Sequence, residues 1–268
     1  MKLIAYSLDD VAGVNTARIL KESFGFKETG EEFDGVPVCR RDDILLVASR
    51  ENITRISSLG TFNPEVCIVV SRHRSESGMP TFTTHATGNF GSADVGGEPG
   101  RLSIAPAQYL RTSIEQLLRH PIPGFQASLE VTHHGPTELS FPLMYVEVGS
   151  SEKQWGDESA CTVVAEVADS LASKPPDKLP SAIGFGGPHY APNFTEVSGK
   201  VAFGHIAPKY AMDYMNEQMV RNMIERTIPR PELAVLDWKG LRGPEKKMVT
   251  GILDEIGLSW KKTSELKG

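Results

Sequence analysis

The chain is short of several things, and each shortage narrows what it does. Cysteine is scarce: 268 residues contain three, Cys39, Cys67 and Cys161, with no CxxC among them. That excludes a disulfide framework and a thiolate zinc knuckle. Cys67 within EVCIVV and Cys161 within CTVVAEVA read as small buried hydrophobes, which suits a reducing cytosol. No apolar run approaches the length of a bilayer span, and the opening MKLIAYSLDD lacks a signal-peptide pattern. A cytoplasmic chain with no membrane association is therefore expected. Basic residues are outnumbered, 28 Lys and Arg against 34 Asp and Glu, for a formal charge of -6. A surface coated in nucleic acid is disfavoured, although a local basic cleft gripping one RNA end is compatible with that balance. There is no HExxH, no GxSxG elbow, no Walker loop and no GxGxxG fingerprint. Serine hydrolase, P-loop nucleotidase and nicotinamide dehydrogenase readings lose ground. No heptad or exposed apolar stripe demands a partner, so a monomer is expected.

What is present is an ordinary globular composition, 40% hydrophobic and 23% charged, in which β-rich apolar runs alternate with amphipathic ones. KLIAYSL reads as a first strand, followed by a helix capped at Asp9 or Asp10, running to Phe24 and stopped by Gly25. DDILLVAS and PEVCIVVS are further strands. A polar, Gly-rich segment from Arg72 to Gly100 is too long for a routine connector and is expected to belong to a site. A helix is predicted over 106–119, strands in ASLEVTHHGP and PLMYVEVGSS, and a helix over 157–173. SAIGFGGPHY and KVAFGHIAPKY each read as strand then loop. A helix over 213–226, the strand LAVLDW and a helix over 243–256 follow. The pattern predicts one α/β domain over residues 1–262, a three-layer α/β/α arrangement with a mostly parallel or mixed sheet, and a frayed tail over 263–268.

Six of the seven histidines fall in or beside short Gly/Pro/Thr-rich segments. Four such segments follow predicted strands directly: SRHRSE, VTHHGP, GGPHYAP and FGHIAPKY. Ligands of α/β sheets gather outside the carboxyl ends of strands, so these imidazoles are expected to converge on one rim. In VTHHGPTE, His133 and His134 aim the same way only if the backbone turns between them. One ring facing a cleft and the other packing is the simpler arrangement. His73 between Arg72 and Arg74 suits a phosphate or carboxylate better than a metal. Gly186 and Gly187 before His189 allow a close backbone approach, Tyr190 offers a stacking face, and Lys209 lies one short loop beyond His205. Histidines with Glu138 suit zinc or another divalent ion assembled from separate loops. A metal-free site, with a histidine base or backbone oxyanion donors, stays open.

Through SRHRSESGMPTFTTHATGNF, EVTHHGPTELSFP, IGFGGPHYAPNF and FGHIAPKY, in that order, the chain resembles the D-aminoacyl-tRNA deacylases of the archaeal and plant type. The resemblance takes in the opening strand and the order of segments, and stops at Trp260. It implies a phosphorylase/hydrolase-like three-layer fold and hydrolysis of the ester joining a D-amino acid to the 3′ end of tRNA. It also implies two zinc ions per subunit, with a zinc-activated water as nucleophile. On this basis His134, His205 and Thr84 are taken as catalytic. His85, His133, Glu138 and His189 are taken as metal ligands. Arg72, His73, Arg74, Gly186, Gly187, Tyr190 and Lys209 are taken to bind the aminoacylated end. Two rivals are a metallohydrolase cutting other esters or amides, and a tRNA-end or phosphate-binding protein without turnover.

Overall fold

The architecture is that of a computed structural model, which describes residues 1–267. In chain order the strands are β1 (Lys2–Ser7), β2 (Lys27–Phe33), β3 (Val36–Arg41), β4 (Ile44–Ser49), β5 (Cys67–Arg74), β6 (Thr81–His85), β7 (Ala105–Pro106), β8 (Gln126–Leu129), β9 (Leu143–Ser150), β10 (Ser181–Phe185), β11 (Ala202–Ala207), β12 (Thr227–Ile228), β13 (Leu233–Leu236) and β14 (Trp260–Lys262). The helices are α1 (Val11–Ser23), α2 (Ala107–Arg119), α3 (Glu152–Trp155), α4 (Glu158–Ser173), α5 (Pro192–Val197), α6 (Glu217–Glu225), α7 (Gly243–Ile256) and α8 (Thr263–Leu266). Eight strands form a mixed sheet in the order β2-β3-β4-β1-β5-β9-β6-β8, and four form a second sheet, β11-β10-β13-β14. The expected α/β architecture is thus realised as two sheets with flanking helices.

Local chemistry explains most of these boundaries. Asp10 caps α1, its carboxylate accepting from Gly13 N, and Gly25 takes φ +76° just past the helix end, the left-handed turn that glycine adopts without a Cβ penalty. Asp157 caps α4 and Asn216 caps α6 in the same way. The central strands are buried on both faces and hence read as unbroken apolar runs. Leu3, Ala5, Cys67 and Val69 face one core; Ile4, Tyr6, Ile68 and Val70 face the other. The second of these cores is covered by α1, α2 and α4. The first is closed instead by loops, through Ile53, Ile56, Leu59, Leu139 and Phe141. Helix α2 lies between the sheets, with Leu110 and Leu117 in the core of the larger and Ile114 in that of the smaller. All three cysteines are buried and unbonded, and burial pushes the Cys161 thiol up to about 11.

Three elements depart from the sequence expectation. The charged run KETGEEF pairs with β3 as an edge hairpin, where solvated side chains are tolerated and protect the edge. The long segment 72–100 is not one loop: Arg72–Arg74 continue β5, and Thr81–His85 form a strand antiparallel to β9. The tail is ordered through residue 267. Trp260–Lys262 pair in parallel with β13, Thr263–Leu266 form a helical turn, and Lys267 Nζ lies 2.5 Å from Glu196 Oε2.

Candidate metal and active centre

Alternation along β5, β9 and β6 builds the site. The core face carrying Cys67, Val69, Leu143 and Tyr145 turns polar toward the carboxyl ends of β5 and β9. Ser71 and His73 follow on β5, Glu147 on β9, and Thr83 and His85 on the neighbouring β6. Glu147 is held by Ser71 Oγ, donating at 2.7 Å, and Thr83 Oγ1, donating at 3.1 Å. The segment just after β8 brings the remaining groups. Glu130 N bonds Thr84 O on one side, and Val131 N bonds His189 O on the other, so this stretch is the seam between the two sheets. Thr87 pairs with His133, and Gly88 N bonds the His133 and His134 carbonyls, fixing the histidine pair beside His85.

Both rings of the pair enter the site. His134 has φ +42°, a left-handed conformation rare for a side-chain-bearing residue, and it supplies the turn that strict alternation would forbid. The ring centroids of His133 and His134 lie 4.4 Å apart, those of His85 and His133 4.3 Å. Gly135 follows with no room for a Cβ, which would come 2.3 Å from Gly97 N. The Gly-rich loop of segment 72–100 therefore packs on this turn.

Hydrogen bonding sets the tautomers. His85 Nδ1 lies 3.2 Å from Ala86 O, His133 Nδ1 2.8 Å from Val131 O and His134 Nδ1 2.6 Å from Gly135 O. A carbonyl only accepts, so each Nδ1 carries a proton. His133 and His134, held neutral, turn an unprotonated Nε2 inward. Burial of His85 is outweighed by the neighbouring Glu147 and Glu130 carboxylates, which raise it above its ordinary value. Burial and the charge of His85 push His134 down to about 4; burial and the neighbouring histidines, His85 foremost, hold His133 well below its ordinary value. Glu130 is buried, and neither carboxylate oxygen has a hydrogen-bond donor among the described residues. His73 Nδ1 lies 3.2 Å and His189 Nε2 3.1 Å from its Oε1, with His85 Nε2 3.8 Å and His133 Nε2 4.0 Å from its Oε2. Burial alone would raise Glu130 and Glu147, but the surrounding histidines outweigh it and hold both carboxyls below the ordinary value.

These atoms form three overlapping groups: His85, His133 and His134; Glu130, His133 and His189; His73, Glu130 and Glu147. Within each, the candidate donor atoms lie within 4.8 Å of one another. Inward lone pairs, tautomers fixed by outer carbonyls and a carboxylate without donors match the donor set of a zinc-like cation. Two cavities flank the cluster. One of about 400 Å³ is lined by Met79, Gln126, Ser128, Pro188, Tyr190 and Thr195. The other, about 320 Å³, is lined by Gly88, Gly91, His133, His134, Tyr210 and Tyr214 among others.

The sequence-derived candidates divide accordingly. His85, His133, His134 and His189 meet in the cluster, and His73 joins them. Strand alternation sends Arg72 and Arg74 to the opposite face, so they do not shield His73 from a metal. Arg72 donates to Asp9 O and lies over the Trp155 ring, while Arg74 borders a separate cavity with Trp155. Tyr190 Oη is 2.7 Å from His73 Nε2; burial raises this phenol, but bonds with Ser75 and His73 pull it below its ordinary value. Gly186 and Gly187 pack against Asp237 and Leu241 rather than facing the cluster. Lys209 is exposed on the same rim as Tyr210, whose hydroxyl is 3.4 Å from His189 Nδ1. Three of the catalytic and metal-ligand candidates also fall outside. His205 is buried between Thr132 Oγ1 and Ser103 O, both ring nitrogens satisfied. Thr84 Oγ1 donates to Tyr145 O at 2.7 Å, committed to the sheet. Glu138 folds back onto Thr137 N, and Glu130 occupies the place expected of it. Sequence reasoning missed Glu130 and Glu147 as site residues. Their signal is an acid inside an otherwise buried apolar strand or at its end, as in LMYVEVGS.

A buried histidine–carboxylate cluster where β5, β6 and β9 meet makes this an α/β protein with a candidate cation-binding centre. The family follows from comparison with known proteins. A family profile described as D-aminoacyl-tRNA deacylase matches residues 61–261. The D-aminoacyl-tRNA deacylase of Thermococcus kodakarensis is 35% identical over 270 residues, covering 97% of this chain and 99% of that protein. That of Pyrococcus horikoshii is 36% identical over 273 residues with the same coverage. The crystal structure of a conserved protein of unknown function, AF0625, superposes with a TM-score of 0.90 at 30% identity, covering 100% of this chain and 96% of that one. The chain belongs to the D-aminoacyl-tRNA deacylase family.

Proposed function

We infer that this protein hydrolyses the ester between a D-amino acid and the 3′ end of tRNA, releasing both, and so removes wrongly charged tRNA from translation. The observation that carries the reading is the meeting of His85, the Glu130–His134 stretch and His189 from three separate segments, in a chain of this family. His85, His133, His134, His189 and Glu130 are the residues that would hold zinc, with His73 and Glu147 completing the donor set. A bound zinc ion supplies Lewis acidity toward the ester carbonyl and toward an attacking water.

The chain's own groups do the rest. Glu147, fixed by Ser71 and Thr83, anchors His73, and His73 in turn orients the Tyr190 hydroxyl at the edge of the 400 Å³ cavity. The Tyr190 ring is placed to stack on a base or aromatic side chain. His189 is the most exposed imidazole of the cluster, 36% exposed at its side chain, and links Glu130 to Tyr210 at the mouth. Selection against L-esters is assigned to the wall of the 320 Å³ cavity at Gly88 and Gly91, where the glycines let Leu102, Thr132 and the Tyr214 ring pack directly on the backbone and fix its shape. The enzyme is read as a cytoplasmic monomer; no helix among the described residues is long and apolar enough to cross a membrane. Incubation with D-tyrosyl-tRNA and L-tyrosyl-tRNA tests the reading: the D-ester alone should be lost, and equal loss of both, or of neither, defeats it.

A further inference from the structure

The strands of the smaller sheet are all parallel, so their four carboxyl ends lie along one rim. Lys209 and Tyr210 follow β11, His189 and Tyr190 follow β10, Trp238 and Lys239 follow β13, and Lys261 and Lys262 end β14. The first half of that row borders the candidate site. The second half has no part in the chemistry described above. There Trp238 and Trp260 stack with planes 2° apart and centroids 5.9 Å apart. Lys262 Nζ lies 4.7 Å and Lys246 Nζ 5.0 Å from the Trp238 ring centroid.

This face is electropositive in a chain of net charge -6. From Trp238 to Lys262 there are six basic side chains against three acidic ones. Arg242 is paired with Glu245 and Asp213. Lys239, Lys246, Lys247, Lys261 and Lys262 have no carboxylate within ion-pair distance among the described residues. A cation over an indole at the surface gains only about 0.5–1 kcal/mol and keeps its full charge. Two ammonium groups therefore gather over one ring as a positive site, with a single carboxylate, Asp254, accepting from Trp260 Nε1 at 3.2 Å on the neighbouring indole. It is joined rigidly to the catalytic rim. Gly187, two residues before His189, packs so closely on the Asp237–Gly240 turn that a Cβ on Gly240 would come 2.6 Å from Gly187 N. Asn193 Nδ2 also donates to Asp237 Oδ2 at 3.0 Å.

We propose that the face formed by Trp238, Trp260, Lys246 and Lys262 binds the phosphate backbone of the tRNA acceptor stem while the aminoacylated end occupies the candidate site. The proposal rests on the deacylase reading above. Charge complementarity favours a polyanion, and continuity of the rim with His189 and Tyr190 favours the polyanion whose end is in that site. Double-stranded RNA is held through phosphate and sugar contacts rather than base edges, which is what lysines on a rigid aromatic platform offer.

The test compares Lys246→Glu/Lys262→Glu, and the milder Lys246→Gln/Lys262→Gln, on two substrates: D-tyrosyl-tRNA and 3′-O-(D-tyrosyl)adenosine, which has the ester but no stem. The charge reversal should raise KM for the tRNA at least about tenfold, and the dependence of log kcat/KM on log salt should flatten by about one unit per lysine. Turnover of the adenosine ester should stay within about twofold, and the glutamine pair should shift KM in the same direction by less. An unchanged tRNA KM overturns the proposal and leaves the face to an acidic protein partner. Equal losses on both substrates also overturn it, in favour of a structural role. Affinity for uncharged tRNA, read by fluorescence anisotropy, is measured alongside. If wild-type protein hydrolyses neither ester, the deacylase reading fails by itself, and weaker tRNA binding by the lysine variants still upholds this surface.

Discussion

Glu130 Oε1 lies 3.2 Å from His73 Nδ1, yet the carboxylate accepts no aligned hydrogen bond from any described residue. A buried anion in that condition is costly unless something else neutralises it. The histidines around it present lone pairs as well as protons, so a cation shared between them resolves both deficits. Glu130→Gln keeps the shape and removes the charge. It should lower zinc affinity and deacylation of D-tyrosyl-tRNA by at least about 100-fold, the upper range for partners one shell further out. Elemental analysis of the purified variant beside its rate decides the matter; normal metal content at a normal rate would remove Glu130 from the site.

Metal removal should destabilise the protein as well as silence it. The inward Nε2 atoms of His85, His133 and His134 face one another without donors once the cation is gone. A ligand at 100 times its Kd stabilises the folded state by about 2.7 kcal/mol, roughly 5–10 °C of Tm for a chain of this size. Chelator-treated protein should therefore melt lower by that margin, with zinc restoring both Tm and activity. A Tm indifferent to chelation and an intact rate would contradict a metal centre.

His205 should behave as a structural residue. Its Nε2–H donates to Ser103 O at 3.0 Å, and its Nδ1 accepts from Thr132 Oγ1, which itself accepts from Ile206 N. Burial pushes its pKa down to about 4, so the ring is neutral at working pH. His205→Ala strands a buried carbonyl and opens a cavity, a loss of about 1–3 kcal/mol for the orphaned group alone. Thermal unfolding should register that loss, while kcat at a permissive temperature and zinc content stay within about twofold. A collapse of kcat in a well-folded variant would return His205 to the chemistry.

The contrast between His205 and His85 marks where sequence was informative. Of the histidines after predicted strands, His73, His133, His134 and His189 do meet. His85 joins them from β6, which with β8 runs antiparallel to β5 and β9, so the site is not a single carboxyl-end rim. Phase was the harder quantity. Nothing in SRHRSE or TFTTH says which alternate residues face inward, so His73 was grouped with arginines that point the other way. The same phase leaves the expected Thr84 on the Tyr145 carbonyl and turns Thr83 toward Glu147. Glu147 was hidden because LMYVEVGS reads as a strand whatever its one acid does, and Glu130 because Glu138 lies nearer the turn. The edge strand KETGEEF was illegible for a different reason: with both faces solvated it shows no apolar period.

The two threonines offer a direct check of that phase. Thr83 Oγ1 donates to the Glu147 carboxylate, and Thr84 Oγ1 to the Tyr145 carbonyl. A bond to a buried charge is worth about 1.5–3 kcal/mol, a neutral one about 1 kcal/mol. Thr83→Val should release Glu147 and lower kcat. Thr84→Val should cost Tm and leave the rate within about twofold. The reverse ranking in steady-state kinetics would mean that Thr84, not Thr83, serves the reaction.

Asp10, which is not among the candidate metal ligands, supplies a further pH dependence. Its carboxylate caps α1 through Gly13 N and accepts from Arg72 N at 2.8 Å, yet burial raises its pKa from 3.8 to about 6 because these bonds recover only part of the lost hydration. The folded protein therefore binds a proton that the unfolded chain lacks between about pH 4 and pH 6. Stability from this group is greatest below pH 4, declines as pH rises through that window, and is constant above it. Two pH units correspond to about 3 kcal/mol, an order-of-magnitude figure for a group nine-tenths buried. Asp10→Asn keeps an oxygen for the cap, since asparagine is as good an N-cap, and cannot titrate. Denaturant unfolding of both proteins, stripped of metal, should show the wild type gaining on the variant as pH falls from 7 to 4. A difference that stays flat, or grows in the opposite direction, would show that Asp10 is ionised throughout and that its two hydrogen bonds outweigh its burial.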